Sequence, residues 1–564
     1  MDTEKIDQQI SSLEKDQITE LLTKPASCIR EFIEDQLEKT RKLTMIGVAL
    51  SAEKNLDRLF EMIVEEARNF TNAEGGTLYI MSDDEKELRF AVVRSSPLNI
   101  RMGGTSGEIT WKPVLLINAD GTPNYANVSA YAALSGKVIN IPDVYDAEGF
   151  NFEGTRKFDK INGYRSKSML VAPMRNHEND IIGVLQLLNA HDELTGDVVP
   201  FSSENQRMTE SLASQAAVAL TNNQLIQGLE NLLESIVKSI AAAIDEKSPY
   251  TGGHVRRVAE LTMAIAQKIN TATEGFYADT HFNEDQMKEL RIAAWLHDVG
   301  KVTTPEYVVD KATKLETICD RIELLRTRFE VLKRDHEIES LKKADGQGLY
   351  QENDDVVQSR REFVEKLKKN LEEDLAFLAI ANDGSKYMTD DMIKRINEIA
   401  NRQWTADGEL KSILTDNEIL NLCIRNGTLT EDERKIINNH ARVTHMMLSQ
   451  LPFPKKLKHV PYYAATHHER PDGSGYPLGL KGDQLPLQSR LLALADIFEA
   501  LTAKDRPYKK GKTLSEVIKI MKFMVKDNYI DSELFDFFIK EQIYLDYAKE
   551  ELAPQQIDLD KIEL

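Results

Sequence analysis

The sequence predicts a multidomain chain: an α+β domain followed by an all-α helical domain, the latter interrupted by an inserted antiparallel coiled-coil hairpin. Three observations predict it. Short β-like runs between turn residues are confined to residues 43–221. Helical periodicity dominates 248–564. Within that second stretch, two heptad-like apolar stripes flank a polar turn. A length of 564 residues suits three or four domains at about 150 residues each.

Residues 1–42 are polar, with Ile10, Leu13, Ile18 and Leu21 on a loose stripe, and read as a leader helix. A helix from Asn55 to Phe70 follows, with Leu56, Leu59 and Ile63 on one face. The runs GGTLYIM, LRFAVVR, KVINI, SKSMLVAPM and IIGVLQLLN read as strands, punctuated by Gly75-Gly76, Asn176 and Asn179-Asp180. A helix from Ser203 to Leu220 closes the domain. Helix, strands, helix is an α+β layout.

Residues 222–247 carry Leu225, Leu229, Leu232, Ile236 and Ile240 at spacings of 4, 3, 4 and 4. That near-heptad pattern predicts a connecting helix and a parallel coil in a homodimer. From 248 on the chain is helix-rich. Leu315, Ile318, Ile322, Leu325, Phe329 and Leu332 form one stripe; Val364, Leu367, Leu371, Leu375 and Leu378 form another across the turn ADGQGLYQEND. These predict the hairpin, within an insert of about 315–425.

Composition excludes several classes. The formal net charge is −21, against binding the backbone of a nucleic acid polymer, which needs clustered Lys and Arg. A small anion in a local basic pocket stays allowed. Cys28, Cys319 and Cys423 lie far apart and make neither a disulfide framework nor a thiolate metal site. The charged start MDTEKIDQQISSLEKDQ has no apolar leader core, and no run reaches about 18 apolar residues, so no membrane association and a cytoplasmic location are expected.

Five settings concentrate histidine and aspartate: His254 in TGGHVRRV, His297 and Asp298 in WLHDVGK, His440 in IINNHARV, His467 and His468 in ATHHERPDGSGYP, and Asp496 in LLALADIFEALTA. Neutral imidazole and carboxylate suit borderline divalent metals. An aspartate beside a histidine can bridge two ions, and two ions about 3.5–4 Å apart stabilise an in-line displacement at phosphorus. Lys301, one helical turn past Asp298, can neutralise a phosphate oxygen.

HDVGK and HHERPDGSGYP, with SPYTGGHVRRVA before them and LALADIFEALTAKDRPYKK after, resemble the HD-GYP subgroup of the HD phosphohydrolase superfamily. The resemblance covers roughly 236–310 and 425–545. It implies a cyclic-di-GMP phosphodiesterase that opens the ring to pGpG or cleaves it to GMP at a centre of two divalent ions, iron or manganese. The implied metal ligands are His254, His297, Asp298, His440, His467, His468 and Asp496. Asp298 and Lys301 carry the catalytic roles, and Lys301, Gly473, Tyr476, Arg506 and Lys509 bind substrate, with Gly475 and Pro477 completing the loop. A catalytically silent cyclic-di-GMP receptor, or an enzyme for another cyclic dinucleotide such as cyclic GMP-AMP, are the alternatives.

The chain departs from that pattern. Tyr250 stands where members with three metals carry glutamate, which implies two metals here. The usual His-Pro-x-x-Gly reads His440-Ala441-Arg442-Val443-Thr444. Glu499 replaces a common aspartate, and one extra residue precedes Arg506. About 110 residues separate KATKLE from NGTLTEDE, which the family joins almost directly.

The stretch from Phe158 to Asn189, FDKINGYRSKSMLVAPMRNHENDIIGVLQLLN, is similar to GAF domains of cyclic-nucleotide phosphodiesterases and adenylyl cyclases. It implies a GAF sensory domain over 43–221. A cyclic nucleotide, cyclic AMP or cyclic GMP, is the implied ligand, against an alternative of pure dimerisation. The ligand signature reduces to Asn189, Phe201 and Glu204 beside Phe158-Asp159.

Overall fold

The computed structural model describes residues 30, 33, 34, 36–247, 252–345, 354–503 and 511–559, without the side chains of 343–345 and 354–357. It divides into two compact units, Met1–Asn231 and Leu232–Leu564. Most of the expected leader lies outside the described residues; helix α1 is described from 36 to 52.

In the first unit, α2 (Leu56–Thr71) starts at Asn55, whose side chain caps the N–H of Arg58. Its Leu59, Ile63, Val64 and Ala67 are buried. The five expected strands appear as β1 (Ala73–Met81), β2 (Glu87–Ser95), β5 (Ile139–Ile141), β6 (Met169–Arg175) and β7 (Ile181–His191). Shorter β3 (Ile100–Gly103), β4 (Val114–Leu115) and β8 (Val198–Val199) join them, with α3 (Val128–Ser135) and α4 (Glu153–Asn162) between. The sheet runs β3-β2-β1-β7-β6-β5, every pairing antiparallel, with β4 on β2 and β8 on β7.

Both faces of this sheet are covered. Leu78 enters a core with α2 and with Leu212, Ala216 and Leu220, whereas its neighbour Tyr79 enters a second core with Val128, Ala132 and Val184. Successive strand residues point to opposite faces, so one strand feeds two cores.

The helix expected from Ser203 to Leu220 and the connecting helix are one element, α5 (Ser203–Asp245). No Gly or Pro breaker interrupts the join at Thr221. In the second unit, Val237 of α5 packs with Ile292, Leu296, Val460 and Tyr463.

The second unit is mostly helical. One core joins α6 (His254–Thr271), α7 (Glu284–Leu296), α15 (Leu487–Thr502), α16 (Leu514–Lys526), α17 (Ser532–Lys540) and α18 (Ile543–Glu551). Between α7 and α13 (Glu431–Leu448) lies the insert. Its α9 (Ile322–Asp345) and α10 (Asp354–Asn382) run antiparallel, as the ion pairs Lys333–Glu372 and Lys368–Glu337 require.

The insert is more than a hairpin. Leu325, Phe329, Leu371 and Leu378 share a core with α11 (Asp390–Ala400), α12 (Asp416–Leu422) and residues next to the small β9–β10 sheet (Gln403–Ala406, Glu409–Ser412). Ile318, expected in the stripe, precedes α9 and is 99% exposed. The stripe therefore starts at Ile322, where the helix does.

Candidate metal centre

The expected ligands come from helix ends and from two helix interiors. His254 opens α6, His297 caps the end of α7, and Asp298 follows it. His440 sits within α13, His467 and His468 follow α14 (Val460–Ala465), and Asp496 lies in α15. The structure brings all seven together.

Two trios form. His254, His297 and Asp298 offer ligand atoms within 4.8 Å of one another, and so do His440, His467 and His468. Asp298 lies between them: Oδ2 is 3.3 Å from His297 Nε2 and 3.5 Å from His254 Nε2, while Oδ1 is 3.4 Å from His440 Nε2. Asp496 Oδ1 lies 3.3 Å from His254 Nε2, and its Oδ2 lies 4.0 Å from His468 Nδ1.

The donor chemistry fits divalent cations. His297, His440 and His467 each hydrogen-bond through Nδ1 to the carbonyl three residues earlier: Ala294 at 2.8 Å, Ile437 at 2.5 Å and Ala464 at 2.6 Å. A carbonyl only accepts, so Nδ1 carries the proton and Nε2 keeps its lone pair. Those three buried Nε2 atoms have no hydrogen-bond partner. A buried polar atom without a partner is costly, and three converging ones mark a site built for a cation.

Protonation agrees. Burial pushes the imidazoles of His440 and His467 down, and that of His468 to about 3, so they stay neutral and able to ligate. Burial alone would raise Asp298, but Lys301 and His297 hold its carboxyl well below the usual range. Burial also disfavours charge on His254, but Asp298, Asp496 and Glu499 raise it well above its ordinary value.

Local packing holds these groups. Gly300 allows a close approach: a Cβ there would lie 2.0 Å from the His440 carbonyl. Thr444, at the position of the family's glycine, accepts from Gly300 N–H and donates to the His297 carbonyl, both at 3.0 Å. The altered third-ligand segment is regular helix, with His440 turned inward. Glu499 accepts from His254 Nδ1 at 2.5 Å and from Arg257 Nε at 2.7 Å.

Lys301 reaches Asp298 Oδ2 at 2.5 Å. The Tyr476 ring lies 4.8 Å from that of His468 and 6.4 Å from that of His440, walling the centre. Gly473 takes φ 83°, and a Cβ on Gly475 would lie 2.4 Å from the Arg470 nitrogen and Glu469 Cα. Sequence reasoning passed over Glu469, whose carboxylate accepts N–H groups from Leu478, Gly479 and Leu480 and pins this loop. Tyr250, Arg506 and Lys509 lie outside the described residues.

In the first unit, the residues carrying the cyclic-nucleotide resemblance fasten the domain. Asp159 accepts from Ser166 N–H and Oγ, both at 2.9 Å, and from the Tyr145 hydroxyl at 3.1 Å. Asn189 accepts from Lys167 N–H at 2.7 Å and donates to the Arg165 carbonyl at 2.8 Å. Phe201 is buried, and Glu204 binds Lys39 of α1 at 2.9 Å.

A two-faced antiparallel sheet domain followed by a helical domain with a buried His/Asp centre defines the class. Residues 55–220 match the GAF domain family, and residues 251–392 and 413–534 match HD domain families. The chain thus carries a GAF domain followed by an HD region.

A 3'3'-cGAMP-specific phosphodiesterase 1 of Vibrio cholerae is 39% identical over 132 residues, 23% of this chain and 29% of that protein. A cyclic di-GMP phosphodiesterase response regulator of Xanthomonas campestris is 40% identical over 95 residues, 17% and 25% of the two chains. A cyclic di-GMP phosphodiesterase of Thermotoga maritima is 35% identical over 119 residues, 21% and 32%. The chain spans about a quarter to a third of the length of these curated relatives. The GAF domain of an Acinetobacter phosphoenolpyruvate-protein phosphotransferase is 11% identical over 34% of this chain and 98% of that one, with a TM-score of 0.25. Among the described residues, no helix is long and apolar enough to cross a membrane.

Proposed function

We propose that this chain is a phosphodiesterase that hydrolyses a cyclic dinucleotide at a two-metal centre and is controlled through its GAF domain. The observation that carries the proposal is the pair of buried ligand trios joined by Asp298. The relatives named for cyclic di-GMP and 3'3'-cGAMP support the substrate class, with cyclic-di-GMP placed first. Imidazole with carboxylate and no thiolate suits borderline divalent ions, and the family resemblance puts iron or manganese first among them.

Bound divalent ions would polarise the phosphoryl oxygens and acidify the attacking water. The chain's residues do the rest. Water adds to phosphorus, the P–O bond to the leaving ribose oxygen breaks, and a proton ends on that oxygen. Asp298 orients both halves of the centre. Lys301, now paired with Asp298, turns to a phosphate oxygen when substrate enters. Arg506 and Lys509 hold the other phosphate, and Gly473 and Tyr476 shape the mouth. The product is pGpG, and GMP on a second cleavage.

The same reading divides the chain into a leader over 1–42, a GAF sensory domain over 43–221, a connecting segment over 222–247 and a catalytic domain over 248–564. The GAF domain senses a small molecule, with cyclic AMP and cyclic GMP as first candidates, and the protein works as a cytoplasmic homodimer.

The test is purification without oxygen, a metal count, and assay of cyclic-di-GMP and 3'3'-cGAMP with and without cyclic AMP or cyclic GMP. Two ions per chain and linear product are expected. No bound metal would favour the receptor, and no turnover of any cyclic dinucleotide would end the enzymatic reading.

A further inference from the structure

Lys247 stands two residues past the end of α5. Its Nζ donates to three main-chain carbonyls: Lys301 at 3.0 Å, Val302 at 2.6 Å and Thr304 at 2.7 Å. An ammonium has three protons, and these bonds use all three. The carbonyls belong to the short helix Val299–Thr303 and the residue after it, which continues directly from His297 and Asp298. The Lys301 carbonyl also accepts the Thr304 N–H at 3.0 Å, and carbonyls at a helix end attract a cation.

Asp245, the last residue of α5, acts on the other loop. Its Oδ2 accepts the N–H of Gly253 at 3.1 Å. Gly253 is the N-cap of α6, with φ 78°, and His254 follows it. Two side chains at one helix end therefore hold the two loops that carry His254, His297, Asp298 and Lys301.

We propose that Asp245 and Lys247 form a clamp through which the end of α5 sets the geometry of the reaction centre. Both are positioning residues. Lys247 fixes the main chain of Lys301, and with it the root of the side chain that takes the substrate phosphate. Asp245 fixes the entry to α6 and so the placement of His254. A turn or slide of α5 breaks these bonds before it disturbs any metal ligand directly. The proposal rests on the phosphodiesterase reading for its kinetic consequences but not for its structural ones.

The test uses the full chain loaded with Mn(II), with Lys247→Met and Lys247→Arg beside the unaltered protein. In K247M, kcat for cyclic-di-GMP is expected to fall about 10-fold or more, as for loss of groups that orient metal-site residues. Bound metal and the melting temperature should stay near those of the unaltered protein. K247R, which can donate to the same carbonyls, should recover most of kcat. Unchanged kcat in K247M, a fall that only tracks lost metal or lost folded protein, or no recovery in K247R would each overturn the clamp. If the unaltered protein itself turns over no cyclic dinucleotide, the functional reading has failed and the clamp is read from Co(II) spectra. At equal metal content, K247M should then shift the ligand-field bands, and identical spectra would overturn it.

Discussion

Asp298 Oδ1 lies 3.4 Å from His440 Nε2, on the opposite oxygen from the one that faces His297. One carboxylate thus touches both trios at 3.3–3.5 Å, and Asp496 spans them more loosely, at 3.3 Å from His254 and 4.0 Å from His468. Asp298→Ala should separate the trios electrostatically and lower turnover of cyclic-di-GMP at least about 100-fold, more than loss of an outer-shell partner costs. Metal per chain, counted by atomic emission, should fall as well. Retained activity in this variant would remove the proposed mechanism.

Glu499 is 1% exposed and holds His254 from the side away from Asp298. Its negative charge makes the imidazole more basic and fixes its plane. Glu499→Gln keeps the shape and removes the charge. Affinity for Mn(II), measured by calorimetry, should fall about 10–100-fold. Equal affinity would show that Glu499 serves only Arg257.

Thr444 hydroxyl joins Gly300 N–H to the His297 carbonyl, and all of these lie in the interior. Thr444→Val keeps the volume but strands a buried N–H. The expected cost is about 1–3 kcal/mol in urea unfolding. A change below about 0.5 kcal/mol would mean that water or a shift of α13 replaces the hydroxyl.

The clustering of the seven expected ligands was legible in the sequence because short motifs write them in order: His297 and Asp298 adjoin, as do His467 and His468. The five main strands were legible from apolar runs between turn residues. What escaped depends on distance in space. Thr444 meets Gly300 across 144 residues, and Glu499 meets His254 across 245. Neither spacing leaves a local pattern. Glu469 was quoted within its motif, but its task of collecting three main-chain N–H groups shows only once the loop is folded. The heptads predicted α9 and α10, but not that Leu325 and Leu378 would share a core with α11 and α12.

Lys314 makes the insert sensitive to pH. Its side chain is fully buried, Nζ has a 3.4 Å bond to the Leu422 carbonyl, and burial lowers its pKa from 10.5 to about 8. The folded state sheds this proton at a lower pH than the unfolded state. Between about 8 and 10.5 the unfolded chain binds more protons, so stability rises with pH across that window; below pH 8 the penalty is full. Lys314→Met should abolish that rise and stabilise the fold at pH 7 by on the order of 2–3 kcal/mol. Urea unfolding at pH 7, 8.5 and 10 checks both, and a parallel pH course in the variant would exclude Lys314 as the cause.

The stripe on α5 predicts the assembly. Leu225, Leu229, Leu232, Ile236 and Ile240 are 54%, 65%, 55%, 48% and 36% exposed, although they are large and apolar. Their spacing keeps them on one side of a helix, as a two-stranded coil requires. Covering such a row in a second copy removes apolar area from water at about 25 cal/mol per Å². Light scattering should therefore give a mass near twice 63.9 kDa. Leu229→Asp with Leu232→Asp places like charges on the seam and should return a monomer with an unchanged metal count. A mass of 63.9 kDa for the unaltered protein at micromolar concentration would refute the coil.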